Sequence, residues 1–180
     1  MTGAHSPDGG RQEHFLRLAG LVHEPLRRYA LRRVDPADVD DIVADTLLVL
    51  WRRLDDVPAG AELPWCYNVA RNCVANLRRS ALRRERLVHR LAIEPPVAVD
   101  EPAPDVAAAL AALSAKDREV VLLWAWEGLA PREIAIAVGT SANAVSLRLS
   151  RAKRRLKSHL ARHDPHGLGQ KTGVHGEETR

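Results

Sequence analysis

Cysteine is nearly absent from this chain: its 180 residues contain two, Cys66 and Cys73. Seven positions apart in one apparent helix, their Cα atoms would stand about 10 Å apart, too far to bridge as a disulfide. No histidine lies beside them at a zinc spacing, and the eight histidines are scattered, so the thiols read as small buried hydrophobes and not as metal ligands. Long apolar runs are missing too. Runs such as Val120 to Trp126 are far short of the ~20 residues that cross a bilayer. Met1 to Glu13 is polar and has no apolar signal core. These absences predict a reduced, soluble, cytoplasmic chain with no membrane insertion.

Charge of one sign is absent from whole stretches. The 27 Lys plus Arg and 23 Asp plus Glu leave a net charge of only +4, but they are segregated. Asp35 to Asp45 holds five Asp and no base. Arg78 to Arg90 holds six Arg and a single acid, and Arg148 to Arg162 holds seven bases and no acid. Separate blocks suit separate partners: phosphate for the basic ones, a basic protein surface for the acidic one. Glu94 to Asp105 has four Pro, four acids and no base. It reads as an extended linker that divides the chain into two small helical domains.

Apolar residues recur at helical spacing on both sides of that linker. Met1 to Glu13 is expected to be disordered. A helix follows with Phe15, Leu18, Val22, Leu26 and Tyr29 on one face, and Pro25 should kink or split it. Asp35-Pro36 marks a turn. A helix from about Pro36 to Leu54 buries Val39, Ile42, Val43, Leu47, Leu50 and Leu54. Its acidic edge carries Asp38, Asp41 and Asp45. Leu48, Val49 and Trp51 widen its apolar arc, which fits either a helix packed on two sides or a docking surface. After a loop, Pro64 opens a helix with Trp65, Val69, Cys73 and Leu77 in register. Asn68, Arg71, Asn72, Asn76, Arg78 and Arg79 face outward. Interleaved Asn and Arg, with Trp65 and Tyr67 at the start, suit phosphates and unstacked bases.

The second half begins with an Ala-rich helix, Val106 to Leu113. Ser114 and Asp117 then form a capping-box pattern for Ala115 to Trp126, whose core face is Val120, Val121, Leu123 and Trp124. Pro131 to Val138 fits a short helix, Gly139 a left-handed stop, and Ser141 the cap of the next helix. There Val145, Leu149, Ala152, Leu156 and Leu160 form one stripe. Asn143, Ser146, Leu147, Ser150, Arg151 and Arg154 form the other face. Two helices across a tight turn, the second presenting polar and basic groups, are laid out as a helix-turn-helix for the DNA major groove. His163 to Arg180 reads as a disordered tail.

The chain from about Glu13 to Arg162 resembles the bacterial RNA polymerase sigma factors of the extracytoplasmic-function group. Two motifs carry the resemblance. One is Asp38-Val39-Asp40-Asp41-Ile42-Val43-Ala44-Asp45-Thr46-Leu47 through Trp51, followed by Pro64-Trp65-Cys66-Tyr67-Asn68-Val69-Ala70-Arg71-Asn72. The other runs from Leu113-Ser114 and Arg118-Glu119-Val120 through Glu127-Gly128-Leu129, Glu133-Ile134-Ala135 and Gly139-Thr140-Ser141 to Asn143-Ala144-Val145, Arg148-Leu149 and Arg151-Ala152. Two motifs in order across a linker are more specific than either alone.

The resemblance implies an all-α protein. Residues 14–91 would form a sigma region 2-like domain, 92–105 the linker, and 106–162 a region 4-like helix-turn-helix domain. Residues 1–13 and 163–180 are expected to be disordered. Asp41, Asp45, Leu48 and Trp51 would dock on core RNA polymerase. Trp65, Asn72, Asn76, Arg78 and Arg79 would read and open the minus-ten element, with Asn72 lining a pocket for a flipped base. Ser141, Asn143, Ser146, Leu147, Arg148 and Arg151 would face the minus-thirty-five element. The implied partners are core RNA polymerase, promoter DNA and an anti-sigma protein. Ala44 stands where many relatives have Gln, and Ser146-Leu147 replaces the more usual Lys-Ser, so promoter preference does not transfer. The alternative, a stand-alone helix-turn-helix regulator, leaves the Asp38 to Trp51 and Asn72 motifs unexplained. A nucleic-acid enzyme would need a metal cluster or a nucleophile with its base. None is visible, so no catalysis, cofactor, metal or small-molecule substrate is expected.

Overall fold

The computed structural model describes residues 7–88 and 104–163. Among these every regular element is a helix. The longer helices are α1 (Pro7–Leu31), α2 (Val39–Arg52), α3 (Glu62–Val88), α4 (Pro104–Ala111), α5 (Ala115–Ala125), α6 (Pro131–Val138) and α7 (Ala142–His163). Short 3-10 turns at Pro36–Asp38 and Leu54–Asp56 flank α2.

The first three helices bury one another. Leu18, Val22, Leu26, Tyr29 and Ala30 of α1 meet Val39, Ile42, Val43 and Leu50 of α2 and Cys66, Tyr67, Ala70 and Val74 of α3. Each fully buried Leu contributes roughly 1.5–3 kcal/mol relative to leaving it in water. Thr46 is buried in this apolar setting because its hydroxyl donates to the Ile42 carbonyl at 2.7 Å, which avoids an unpaired polar group. In the second half Leu113, Val120, Val121, Leu123, Leu129, Ile134, Val145, Leu149 and Ala152 are buried together. The Arg118 guanidinium donates to the carbonyls of Leu110 at 2.8 Å, Ala111 at 3.0 Å and Leu113 at 3.3 Å. It thereby closes the C-terminal end of α4, where carbonyls lack helical partners.

Several expectations need correction. The helix α1 begins at Pro7, inside the stretch expected to be disordered. Arg11 anchors it to Asp55 at 2.7 Å and to the Trp51 carbonyl at 2.9 Å, contacts that no local pattern announces. α1 also runs unbroken through Pro25. Proline cannot donate to the Leu21 carbonyl, but Leu21 is exposed, so water can take that place. α4 starts at Pro104, within the expected linker, and proline suits a first helical turn. The core face of α3 is wider than expected: Cys66, Tyr67, Ala70 and Val74 are buried beside the expected Val69, while Trp65, Cys73 and Leu77 are half-buried against the core. Tyr67 is therefore a core residue and not a base-stacking one. Trp124 is exposed, with the Lys153 ammonium 3.3 Å from its ring centroid. The rest of the linker, and the tail beyond His163, lie outside the described residues.

Both thiols sit in this core. Burial, helped by the nearby Glu62 charge, pushes the Cys66 thiol up to about 12. Burial also raises Cys73, against a lowering hydrogen bond with Thr46. The reactive thiolate is therefore scarce at pH 8. We expect the native chain to react with a disulfide reagent on the order of a hundredfold slower than the denatured chain. Stopped-flow absorbance measures this, and rapid native labelling of both thiols would contradict the packing.

Candidate polymerase and nucleic-acid interfaces

On α2, Asp41, Asp45, Leu48 and Trp51 follow at spacings of four, three and three, which places them on one face. Both carboxylates are exposed, Leu48 is 46% exposed and Trp51 38%. The Trp51 ring is fixed from behind. Phe15 meets it edge-on with centroids 5.2 Å apart at 77°, and the Arg11 guanidinium lies 5.3 Å from its centroid. The result is a pre-formed patch in which acid and apolar groups stand side by side.

On α3, Trp65, Asn72, Asn76 and Arg79 follow at spacings of seven, four and three and so share a face. Trp65 is half-buried, with the Arg53 guanidinium 5.7 Å from its centroid. Asn72 is exposed and its amide donates to Asn68 Oδ1 at 3.3 Å. Asn76 and Arg79 are exposed and hydrogen-bond to each other. Arg78 is offset, and its guanidinium donates to the Arg33 carbonyl at 2.9 Å.

The helix-turn-helix is built as its sequence predicts. Glu133 accepts from the Ala130 N–H at 2.7 Å, which secures the start of α6. Gly139 adopts φ 69°, and the Thr140 N–H reaches back to the Ala135 carbonyl at 2.9 Å. A side chain is strained in that left-handed conformation, so glycine is the fitting residue there. Ser141 caps α7 by accepting from the Ala144 N–H at 3.2 Å. Ile134 and Val145, both fully buried, hold the two helices together. Asn143, Ser146, Leu147 and Arg151 are exposed on the outer face, Leu147 by 50%. The Ser146 hydroxyl donates to the Ala142 carbonyl at 2.9 Å, leaving its lone pairs outward. Arg148 is drawn sideways toward α5, where it pairs with Asp117 at 3.4 Å.

Residues 105–156 match the family model described as Sigma-70, region 4. The RNA polymerase sigma factor NccH of Alcaligenes xylosoxydans xylosoxydans is 33% identical over 140 residues, covering 71% of this chain and 75% of that protein. The ECF RNA polymerase sigma factor SigL of Mycobacterium tuberculosis is 33% identical over 148 residues, covering 75% of this chain and 82% of the relative. This chain belongs to the extracytoplasmic-function RNA polymerase sigma factors. Among solved structures it is similar to the sigma factor RpoE in complex with the anti-sigma factor NepR from Bartonella quintana. The TM-score is 0.57 with 27% identity, over 82% of this chain and 96% of that one.

In this sigma factor the region 4 match takes in α4 to α6 and most of α7, so the helix-turn-helix is its centre. No helix among the described residues is long and apolar enough to cross a membrane. Sequence reasoning missed a group of residues that joins the two halves. Glu127 pairs with Arg33 at 3.1 Å and with Arg32 at 3.2 Å. Tyr29 donates to Glu119 at 3.3 Å, and the Asn68 amide donates to the carbonyls of Ala137 at 2.9 Å and Ile136 at 3.3 Å. Burial is the largest cause that raises both Tyr29 and Tyr67, with the neighbouring glutamates adding to it. Nothing periodic announces such contacts. The one available signal was an adjacent Arg pair just beyond an apolar helix face.

Proposed function

We propose that this sigma factor engages core RNA polymerase through Asp41, Asp45, Leu48 and Trp51 and recognises promoter DNA with two helices. The observation that carries the reading is α7. It is capped by Ser141, seated on Ile134 through Val145, and carries no acid along its outer face. In this reading α7 enters the major groove of the minus-thirty-five element. Ser141, Asn143, Ser146, Arg148 and Arg151 supply hydrogen bonds, and Leu147 packs on a thymine methyl. On α3, Trp65 abuts the point of strand opening, Asn72 receives an extruded base, and Asn76, Arg78 and Arg79 hold the backbone. Extruding a base costs a few kcal/mol of stacking, which contacts in the pocket must offset.

The protein works in the cytoplasm, where it meets polymerase and promoter, and contributes binding rather than catalysis. An anti-sigma protein is its expected antagonist, a reading supported by the partner in the similar RpoE complex. Gel filtration of the purified chain with core polymerase, free of any antagonist, tests the assignment. Co-elution as one complex is expected. Separate elution at low salt would end it.

Within α7 the two arginines are expected to differ. Arg151 is exposed, and Arg151→Ala should weaken binding of the upstream element by about 1–3 kcal/mol. Arg148 must first leave Asp117, so Arg148→Ala should cost less. Titration of labelled duplex with the polymerase complexes of both variants measures this. Equal, unchanged affinities would contradict the placement of α7.

A further inference from the structure

The last turn of α2 carries the apolar part of the docking patch, Leu48 and Trp51, and helix ends are the first places to fray. α2 stops at Arg52, so the carbonyls of its final turn run out of helical donors. The Arg53 N–H closes on the Val49 carbonyl at 3.0 Å. The Trp51 carbonyl is met from another helix: Arg11, early in α1, donates to it through Nη2 at 2.9 Å. The same guanidinium donates through Nη1 to Asp55 at 2.7 Å, in the 3-10 turn that follows α2. It also lies 5.3 Å from the Trp51 ring centroid. One side chain thus holds the backbone, the ring and the outgoing chain at a single point.

The three contacts are unequal. Asp55 is 85% exposed, and an ion pair in water contributes little. The bond to the Trp51 carbonyl sets a cation at a helix C-terminus, where the macrodipole favours it. The ring contact adds a cation–π attraction, within the ~6 Å that such pairs need. The planar fork of arginine can serve several partners at once, whereas a lysine ammonium is a single point charge. The support runs both ways. Gly9 and Gly10 make the start of α1 a poor helix on its own, and Arg11 ties that start to the end of α2.

We propose that Arg11 is a positioning residue for polymerase capture: it clamps the last turn of α2 so that Leu48 and Trp51 meet core polymerase already ordered. The proposal rests on the reading of α2 as the docking helix. Groups ordered in advance lose less freedom on binding, so the clamp raises affinity without touching the partner. Asp41 and Asp45 lie further back in the hydrogen-bonded body of α2 and do not depend on it. The clamp therefore acts on the apolar half of the patch and leaves the charged half alone.

Arg11→Ala in the full chain, beside Trp51→Ala and the double variant, tests this in a cycle of affinities for core polymerase. Arg11→Ala should weaken binding by roughly threefold to tenfold, mainly through faster dissociation. In the Trp51→Ala chain the same change should do little, because the group it positions is gone. Arg11→Lys should not restore the parent's affinity, and Asp55→Asn should be nearly neutral. Amide hydrogen exchange in the free Arg11→Ala chain should quicken at residues 50–53 and not at residues 43–46, with little change in thermal unfolding. Losses that add in the double variant, or unchanged exchange at residues 50–53, would overturn the proposal. If Trp51→Ala and Asp45→Lys both bind as the parent does, the docking reading fails and takes the proposal with it. If both weaken binding and Arg11→Ala does not, the docking reading stands and the proposal alone fails.

Discussion

Reversal of one charge on α2, Asp45→Lys, is expected to weaken capture by core RNA polymerase by about a hundredfold, ~3 kcal/mol, because like charges set against each other at an interface cost several kcal/mol. Asp45 suits this experiment for structural reasons. It is exposed on the same face as Asp41, Leu48 and Trp51, while the buried side of that helix is Ile42, Val43, Thr46 and Leu50. The substitution therefore leaves the core untouched. Trp51 stays oriented by Phe15 and Arg11, so the apolar part of the patch survives. Thermal unfolding should be unchanged within experimental error. Affinity measured by anisotropy of the labelled chain should fall, and it should fall more steeply at low salt, where surface charge is least screened. Equal affinity for variant and parent would remove Asp45 from the interface.

The second large effect is on stability. Leu50 is completely buried between α1 and α3. Leu50→Ala removes its transfer energy and leaves a cavity that the helices only partly fill, at a cost of about 2–5 kcal/mol. Loss on that scale is a large share of the stability of a small helical protein. Urea unfolding followed by circular dichroism should show the midpoint moving well to lower denaturant. An unchanged midpoint would mean that the α1–α2–α3 packing is wrong. Leu48, two residues away and 46% exposed, provides the control. Leu48→Ala should barely move the midpoint but should weaken polymerase binding.

Those contrasts mark what the sequence made legible. Along α2 the apolar period found the buried Val39, Ile42, Val43 and Leu50 and the exposed Asp41 and Asp45, but it left Leu48 and Trp51 open between a second packed side and a free one, because an apolar letter at the edge of a stripe fits both. The helix-turn-helix was legible from its own apolar period, with Gly139 and Ser141 adding local stop and cap signals. On α3 Val69 was placed in the core correctly but Cys66, Tyr67, Ala70 and Val74 were missed, because Trp65, Cys66, Tyr67 and Val69 crowd its start and several stripes fit the same letters. The first turns of α1 were missed because Gly9 and Gly10 are poor helix formers and the helix is held by Arg11 reaching Asp55 and Trp51, far along the chain. The seam between the halves was illegible for a deeper reason. Glu127 and Arg33 are single charged residues whose meaning depends on a partner about ninety positions away, and no window of local sequence contains both.

The central claim is that this sigma factor gives core polymerase the ability to find and open particular start sites. The most direct test is transcription by core polymerase on a pool of fragments from the source genome, with and without the purified chain, followed by mapping of transcript 5′ ends. The expected result is a set of starts that depends on the added chain and shares two sequence elements at a fixed spacing, and that disappears with Asp45→Lys. Unchanged transcript ends, alongside tight duplex binding by the free chain, would contradict the claim and point to a regulator that acts through its helix-turn-helix alone.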